Sequence, residues 1–305
     1  MLEFLLSNYM VFSLSTVLVA MALATLLQLQ FGLAGIVNFG VVGFWGLGMY
    51  ALGFIHLTLG LPYFAAAIIA VLIVAAVSLF IGWIILDLDS QSVLVATLAF
   101  GAIVAHLVTT EKWLTKGVVG LGTVPYPTGS GGGDPAVVLG LFLLLVCVVL
   151  VAYAYQINRA PFGRLIAAIR DNELLAQGLG KDVLRHKLVF FVATSTAMGF
   201  VGVLSAPVHQ FLLPDLLGPG VTFSIWIALV IGGRRSPLGG IVGVLVTIFL
   251  FDVLVEIAVP IPQEFQSSVP AVKLLIYGVI LIAILFIRPL GLLSGPKPSE
   301  TTGQG

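Results

Sequence analysis

The sequence predicts an all-α, polytopic integral membrane protein with about eight or nine transmembrane helices. Three observations predict it. Hydrophobic residues make up 60% of the 305 residues and charged residues only 9%, against about 25% charged in an ordinary soluble domain. No charged side chain occurs between Glu3 and Asp87, a stretch that no water-exposed domain solvates. The apolar runs are continuous rather than alternating, so the spans read as helices and not as barrel strands.

A hydrocarbon core of about 30 Å takes roughly 20 apolar residues per helical crossing. On that scale the spans fall at about 9–27, 33–56, 62–86, 91–109, 135–157, 188–208, 219–233, 238–259 and 270–288. No basic region precedes the first span and no small-residue cleavage site follows it, so it reads as a retained span rather than a secretory signal. The second carries Gly32, Gly35, Gly40, Gly43, Gly46, Gly48 and Gly53. It is expected to be interrupted rather than a smooth rod. Asp87 and Asp89 separate the third span from the fourth, and His106 near the end of the fourth reads as an interfacial or packed histidine.

Residues 110–134 hold Glu111, Lys112, Lys116, Pro125, Pro127 and the run Gly129-Ser130-Gly131-Gly132-Gly133, which reads as a flexible loop on one face of the membrane. The seventh span is short for a crossing and is expected to be tilted or broken. Gly239 and Gly243 form a small-xxx-small pair at the start of the eighth, a pattern that lets helices approach closely in lipid. Residues 1–293 are read as a single transmembrane domain. The Gly-, Pro-, Ser- and Thr-rich segment 294–305 is read as a disordered tail.

The few charges orient the chain. Six of the thirteen basic residues fall in 158–187: Arg159, Arg164, Arg170, Lys181, Arg185 and Lys187. An excess of Lys and Arg in a short loop marks the cytoplasmic side. Counting spans onward, Arg234-Arg235 and Arg288 also fall inside, so the C-terminus is expected in the cytoplasm. Counting backwards, 110–134 and the N-terminus fall outside.

The same residues exclude several classes of function. Zero net charge and the lack of a basic run argue against a nucleic-acid partner. Cys147 is the single cysteine, so there is neither a disulfide framework nor a cysteine metal site. His56, His106, His186 and His209 are scattered, and no metalloprotease or serine-nucleophile motif occurs. No catalytic residue, metal ligand or cofactor is assigned. Gly178-Leu179-Gly180-Lys181 lacks the first glycine and the Ser/Thr of a phosphate loop, so the chain is not expected to hydrolyse ATP by that route.

Two polar features within spans remain. Asp252 and Glu256 lie four apart on one helical face, as an interfacial acidic pair or as a proton or cation site. Asn38, Gly40, Gly43 and Gly46 either pack helices closely or line a conduit.

The loop at 158–187 is the most informative segment. Pro161 and Gly163 punctuate its start, and good helix formers run from Arg164 to Gln177. Leu165, Ala168, Ile169 and Asn172 share one face by helical spacing. Asn172 in Asp171-Asn172 is placed to cap a second short helix, and Gly178 and Gly180 end it. Such an amphipathic segment is either a solvated connector or an insert for a groove on a partner.

At this loop the sequence resembles the permeases of branched-chain amino acid ABC importers, most closely the M-type permease. The resemblance is carried by Ala168-Ile169-Arg170-Asp171-Asn172-Glu173 within Arg164 to Gly180. Gly35-Ile36-Val37-Asn38-Phe39-Gly40, Thr97-Leu98-Ala99-Phe100-Gly101, Ile231-Gly232-Gly233 and Arg288-Pro289-Leu290-Gly291 agree in order and spacing. The resemblance covers about residues 20–293.

The resemblance implies a pathway built with a second permease, two ATPase subunits at the cytoplasmic face, and an extracytoplasmic solute-binding protein. It implies a prokaryotic plasma (inner) membrane. It also implies that the loop is a coupling helix, with Arg170, Asp171, Asn172, Glu173, Ala176 and Gly180 against the ATPase. The solutes of the family include branched-chain and other amino acids, amides and urea. Val41 stands where the family often has His or Gln, Gly178 where it commonly has Ala, and Lys181 where it has an apolar residue. The rival readings are an ion-coupled secondary transporter using Asp252 and Glu256, and a membrane scaffold without a conduit.

Overall fold

The computed structural model describes residues 8–127 and 134–254, together with Leu275, Gly278, Val279, Ile282, Phe286 and 291–293. The segment 294–305 and most of the expected ninth span lie outside the described residues.

Helix α1 (Asn8–Gln28) runs on through a π-helical turn, Leu29–Leu33, and a non-helical segment follows at 34–40. Helix α2 (Val41–Gly53) ends in a second π-helical turn, Phe54–Thr58. Helices α3 (Tyr63–Ile85) and α4 (Ser90–Thr110) come next, then the short α5 (Lys112–Thr115). Helix α6 (Pro135–Arg159) leads into the loop pair α7 (Pro161–Asp171) and α8 (Glu173–Gly178). The chain continues through α9 (Val183–His209), α10 (Pro219–Gly232) and α11 (Gly239–Val244), the last extended by a π-helical stretch, Leu245–Leu254.

Among the described residues, six helices are long and apolar enough to cross a membrane: Met10–Leu33, Val41–Thr58, Tyr63–Ile85, Ser90–Thr110, Pro135–Arg159 and Val183–His209. The expected seventh span is indeed short. Helix α10 has 14 residues, about 21 Å at 1.5 Å per residue, less than the hydrocarbon thickness.

The second span is interrupted, as expected, but its start is corrected. The helix begins at Val41, not near residue 33, and α1 takes the earlier residues as far as Leu33. Gly35 explains the break: its φ is +72°, a left-handed conformation that ends a helix and that glycine adopts without a Cβ penalty.

Sequence signals set several helix starts. Asp89 Oδ2 accepts from the Gln91 and Ser92 amides at 3.1 and 3.2 Å, Asp134 Oδ1 from the Ala136 amide at 3.0 Å, and Asp182 Oδ1 from the Arg185 amide at 3.0 Å. Each carboxylate satisfies donors that have no partner within the helix. At Asp89 the Ser92 hydroxyl first, with the amides behind it, holds the carboxyl below its ordinary pKa.

Helices α1, α2 and α9 form the interior, and α3, α4 and α6 surround them. The outer helices present Phe64, Leu72, Trp83, Ile103, Leu141 and Leu145 outward. In lipid that apolar exposure carries no penalty, so the helices are held by close packing rather than by expulsion of water. Small residues supply the fit. A Cβ at Gly48 would overlap the Gly199 carbonyl oxygen, and one at Gly202 would overlap that of Trp45. Backbones of α2 and α9 therefore touch directly. Gly243 meets the Ala228 carbonyl in the same way, so the pair Gly239 and Gly243 packs α11 on α10.

The bundle has two distinct ends. At one, Arg170 of α7 reaches the Gly32 carbonyl and Gln28 Nε2 donates to the Arg234 carbonyl at 3.3 Å. The Leu292 and Leu293 amides donate to Ile231 and Gly232 at 2.9 and 3.1 Å, which brings 291–293 to the same end. At the other end, Leu121 and Leu212 exchange backbone hydrogen bonds of 3.1 and 3.2 Å, and Tyr50 Oη donates to the Leu212 carbonyl at 2.9 Å.

Candidate functional site

The break at 34–40 lies inside the bundle, where every backbone group needs a partner in place of water. Polar side chains supply those partners. Asn38 is fully buried, its Nδ2 donates to Gln30 Oε1 at 2.8 Å, and its Oδ1 accepts from the Gly40 amide at 2.7 Å. Gln30, also fully buried, donates from Nε2 to Thr194 Oγ1 at 2.7 Å and to Ser195 Oγ at 2.9 Å on α9. The Phe39 amide donates to Thr97 Oγ1 of α4 at 2.9 Å, and Trp226 Nε1 of α10 donates to the Asn38 carbonyl at 3.0 Å. The Phe39 ring stacks on Trp226, with centroids 4.5 Å apart and planes 13° apart. One short segment thus joins α1, α4, α9 and α10.

The glycines beyond the break face their neighbours without room to spare. A Cβ at Gly40 would lie 2.8 Å from the Thr97 carbonyl oxygen, and one at Gly43 would lie 2.7 Å from the Phe100 ring. A Cβ at Gly46 would overlap Leu217. Of the residues named for this region, Asn38 ties the break together, while Gly40, Gly43 and Gly46 lie at helix contacts.

The loop pair forms the second part of the site. Asn172 separates α7 from α8 and caps α8, its Oδ1 accepting from the Leu175 amide at 2.9 Å. Ile169, Ala176 and Val183 close a small apolar cluster with Leu165. The buried side of α7 is centred on Gly163, Ile166 and Ile169. Of the residues expected to share one face, Ile169 is buried and Leu165 half-buried, Ala168 is exposed, and Asn172 lies beyond the end of α7.

The six residues for which the resemblance implies an ATPase contact divide by position. Asp171, Asn172, Glu173 and Gly180 are exposed, beside the outward-facing Leu174, Leu175 and Leu179. Ala176 is buried within the loop's own cluster, and Arg170 is half-buried. Arg170 donates from Nε and Nη2 to Asp171 Oδ1 at 2.9 and 2.8 Å, and from Nη1 to the Gly32 carbonyl. Lys187 of α9 pairs with Glu173, fastening α8 to the bundle.

At the opposite end a cavity of about 460 Å³ is lined by Phe12, Ser15, Tyr126, Asp134, His209 and Gln210. Asp252 lies in the π-helical stretch after α11, where its side chain is outside the described residues, as is Glu256 altogether.

A family model described as branched-chain amino acid transport system, permease component, matches residues 5–285. The chain belongs to this permease family. Its relatives include the high-affinity branched-chain amino acid transport system permease protein LivM of Escherichia coli, 26% identical over 89% of this chain and 67% of the relative. The probable branched-chain amino acid transport permease protein LivM of Methanocaldococcus jannaschii is 23% identical over 88% of each chain. From the same organism, LivH is 26% identical over 51% of this chain and 48% of its own length. Fold and family together make this a multi-pass membrane permease of the ABC-importer type.

Within this permease, Gln30, Thr194, Ser195 and Trp226 complete the site without having stood out in the sequence, and Thr97, noted there only within the resemblance, joins them. A signal existed: Gln28 and Gln30 interrupt an apolar run, and so does Thr194-Ser195-Thr196. Polar groups inside membrane spans find each other because lipid offers no alternative partner.

Proposed function

We propose that the chain works as the membrane subunit of an ATP-driven importer for branched-chain or other amino acids in a prokaryotic plasma membrane. In this reading it forms the pathway with a second permease. Two ATPase subunits dock on the α7–α8 end, and a solute-binding protein delivers cargo at the opposite end. The relatives' names support the substrate class.

One observation carries the docking. Leu174, Leu175 and Leu179 stand 80%, 62% and 71% exposed on a helix pair braced from behind by its own apolar cluster. A rigid, apolar, outward face rimmed by Asp171, Glu173 and Lys181 suits a groove on a partner protein. The basic residues of 158–187 support a cytoplasmic location for this end. The contacts of Leu292 and Leu293 with Ile231 and Gly232 support the same side for the C-terminus.

The glycines at 40, 43 and 46 act in helix packing, supported by their contacts with Thr97, Phe100 and Leu217.

Reconstitution with the two ATPase subunits and the second permease tests the reading. ATP-dependent uptake of labelled leucine is expected, and Leu174→Glu should abolish co-purification of the ATPases. Uptake that persists without them and follows a proton or sodium gradient would overturn it.

A further inference from the structure

We infer that Arg170 is a positioning residue for transport, the latch that links the α7–α8 pair to the helix break at 34–40. This rests on the importer reading above. Arg170 sends Nη1 inward to the Gly32 carbonyl and Nε and Nη2 to the Asp171 carboxylate, so three of its nitrogens are committed to oxygens of its own chain. It is therefore poorly placed to serve as a surface contact for an ATPase, the role the family resemblance implies for it. Its neighbours Asp171, Leu174 and Leu175 are exposed and take that part.

Two independent contacts hold the latch to the break. The first is polar. The Gly32 carbonyl lies at the end of the turn Leu29–Leu33, where helix carbonyls lack intrahelical partners and the helix dipole is negative. Arg170 Nη1 donates to it, a charge-assisted bond in a place that favours a cation. The second is steric. The aliphatic stem of Arg170 lies on Gly35, where a Cβ would come within 2.6 Å of Arg170 Cγ. Gly35, at φ +72°, is the residue at which the helix gives way. The loop therefore holds the hinge at Gly32 and at Gly35.

What the hinge moves is equally defined. The Ile36 amide donates to the Gln30 carbonyl at 2.9 Å, and Gln30 binds Thr194 and Ser195. Asn38 and Phe39 meet Trp226 and Thr97. Residues 36–40 lack the i to i−4 ladder that stiffens a helix, so displacement of α7 passes into this segment. From there it reaches α4, α9 and α10 through named side-chain bonds. A partner pushing on Leu174 and Leu175 has a continuous route to the interior of the permease.

Trp226 is a built-in reporter, because its indole donates to the Asn38 carbonyl and stacks on Phe39. In the assembled importer, Trp45, Trp83 and Trp113 are replaced by Phe, leaving Trp226 as the sole tryptophan of the four. Adding ATP with vanadate should shift Trp226 emission. Arg170→Met keeps the stem on Gly35 and removes every donor. It should retain ATPase binding and hydrolysis, lose the Trp226 response, and cut solute moved per ATP by about tenfold, as expected for one charge-assisted bond. Arg170→Lys keeps charge and stem without the forked donors, and should fall between. It carries the test if Arg170→Met does not assemble.

A Trp226 response and a solute-per-ATP ratio at wild-type levels in whichever variant assembles would overturn the latch. Failure of the unmutated complex to bind ATPases or to use ATP would instead overturn the importer reading.

Discussion

Asn38 and Gln30 hold each other inside the bundle: Nδ2 of Asn38 donates to Oε1 of Gln30 at 2.8 Å, and neither side chain has any exposed surface. That bond ties the break to the turn that ends α1. It keeps Gln30 oriented toward Thr194 and Ser195 while Asn38 receives the Gly40 amide. Asn38→Ala leaves the Gln30 oxygen and the Gly40 amide without partners in a dry interior. Each orphaned group costs about 1–3 kcal/mol, so a fall in melting temperature in detergent is expected. An unchanged melting curve would deny the strut its role.

Backbone contact between α2 and α9 gives a second test. Gly48→Ala drives a methyl into the Gly199 carbonyl, and Gly202→Ala drives one into that of Trp45. Overpacking of this kind costs about 1–3 kcal/mol. A methyl at Gly220 would meet nothing within 4 Å, so Gly220→Ala should leave expression and melting unchanged. Equal behaviour of all three variants would contradict the packing described.

Glu173 and Lys187 clamp α8 onto α9, with Glu173 about half exposed and Lys187 only 14% exposed. Solvent weakens such a pair, and Glu173→Ala should cost about 1 kcal/mol or less. Its effect should be local: faster amide exchange across 173–178 with global unfolding nearly unchanged. Uniform loss of protection throughout the bundle would be inconsistent with a local clamp.

Asp89 caps α4, and the Ser92 hydroxyl together with nearby amides lowers its pKa. A depressed folded-state pKa means that the cap's contribution is present above the unfolded carboxylate value, about 3.9. It is lost as pH falls through the lower folded-state value. The Gln91 and Ser92 amides should therefore be protected at neutral pH in the native protein and exposed to exchange in Asp89→Ala. The two proteins should converge in acid. A difference that grows on acidification would reverse the sign and refute the cap.

Orientation is open to chemical labelling. Val118 and Gln177 are exposed and belong to opposite ends of the bundle, whereas the native Cys147 is buried. In intact cells an impermeant maleimide should label Val118→Cys and spare Gln177→Cys. The opposite pattern would invert the topology.

Much of this architecture is legible in the residues. Continuous apolar runs locate the six spans, the third to sixth of them within about five residues at both ends, because lipid leaves a chain few options besides helix. The short seventh helix, the glycine-driven interruption and the Asn172 cap can all be read locally, since each depends on neighbours in the chain. The face of α7 cannot, because helical periodicity alone does not say which stripe meets the bundle. Nor can the start of α2, because apolar glycine-rich sequence is compatible with both helix and break.

Composition and order alone made this chain a multi-helix membrane protein and concentrated its positive charge in one loop. They also carried the family resemblance, because all of these reside in residue type and spacing. Tertiary structure alone decided that Arg170 reaches the Gly32 carbonyl, that Ala176 is buried, and that Gln30, Asn38, Thr194 and Ser195 form one network. Those partners lie up to 165 positions apart in the chain. Pairing over such separations is set by how the helices stack, since a buried polar group must bond to whichever partner the packing brings within reach.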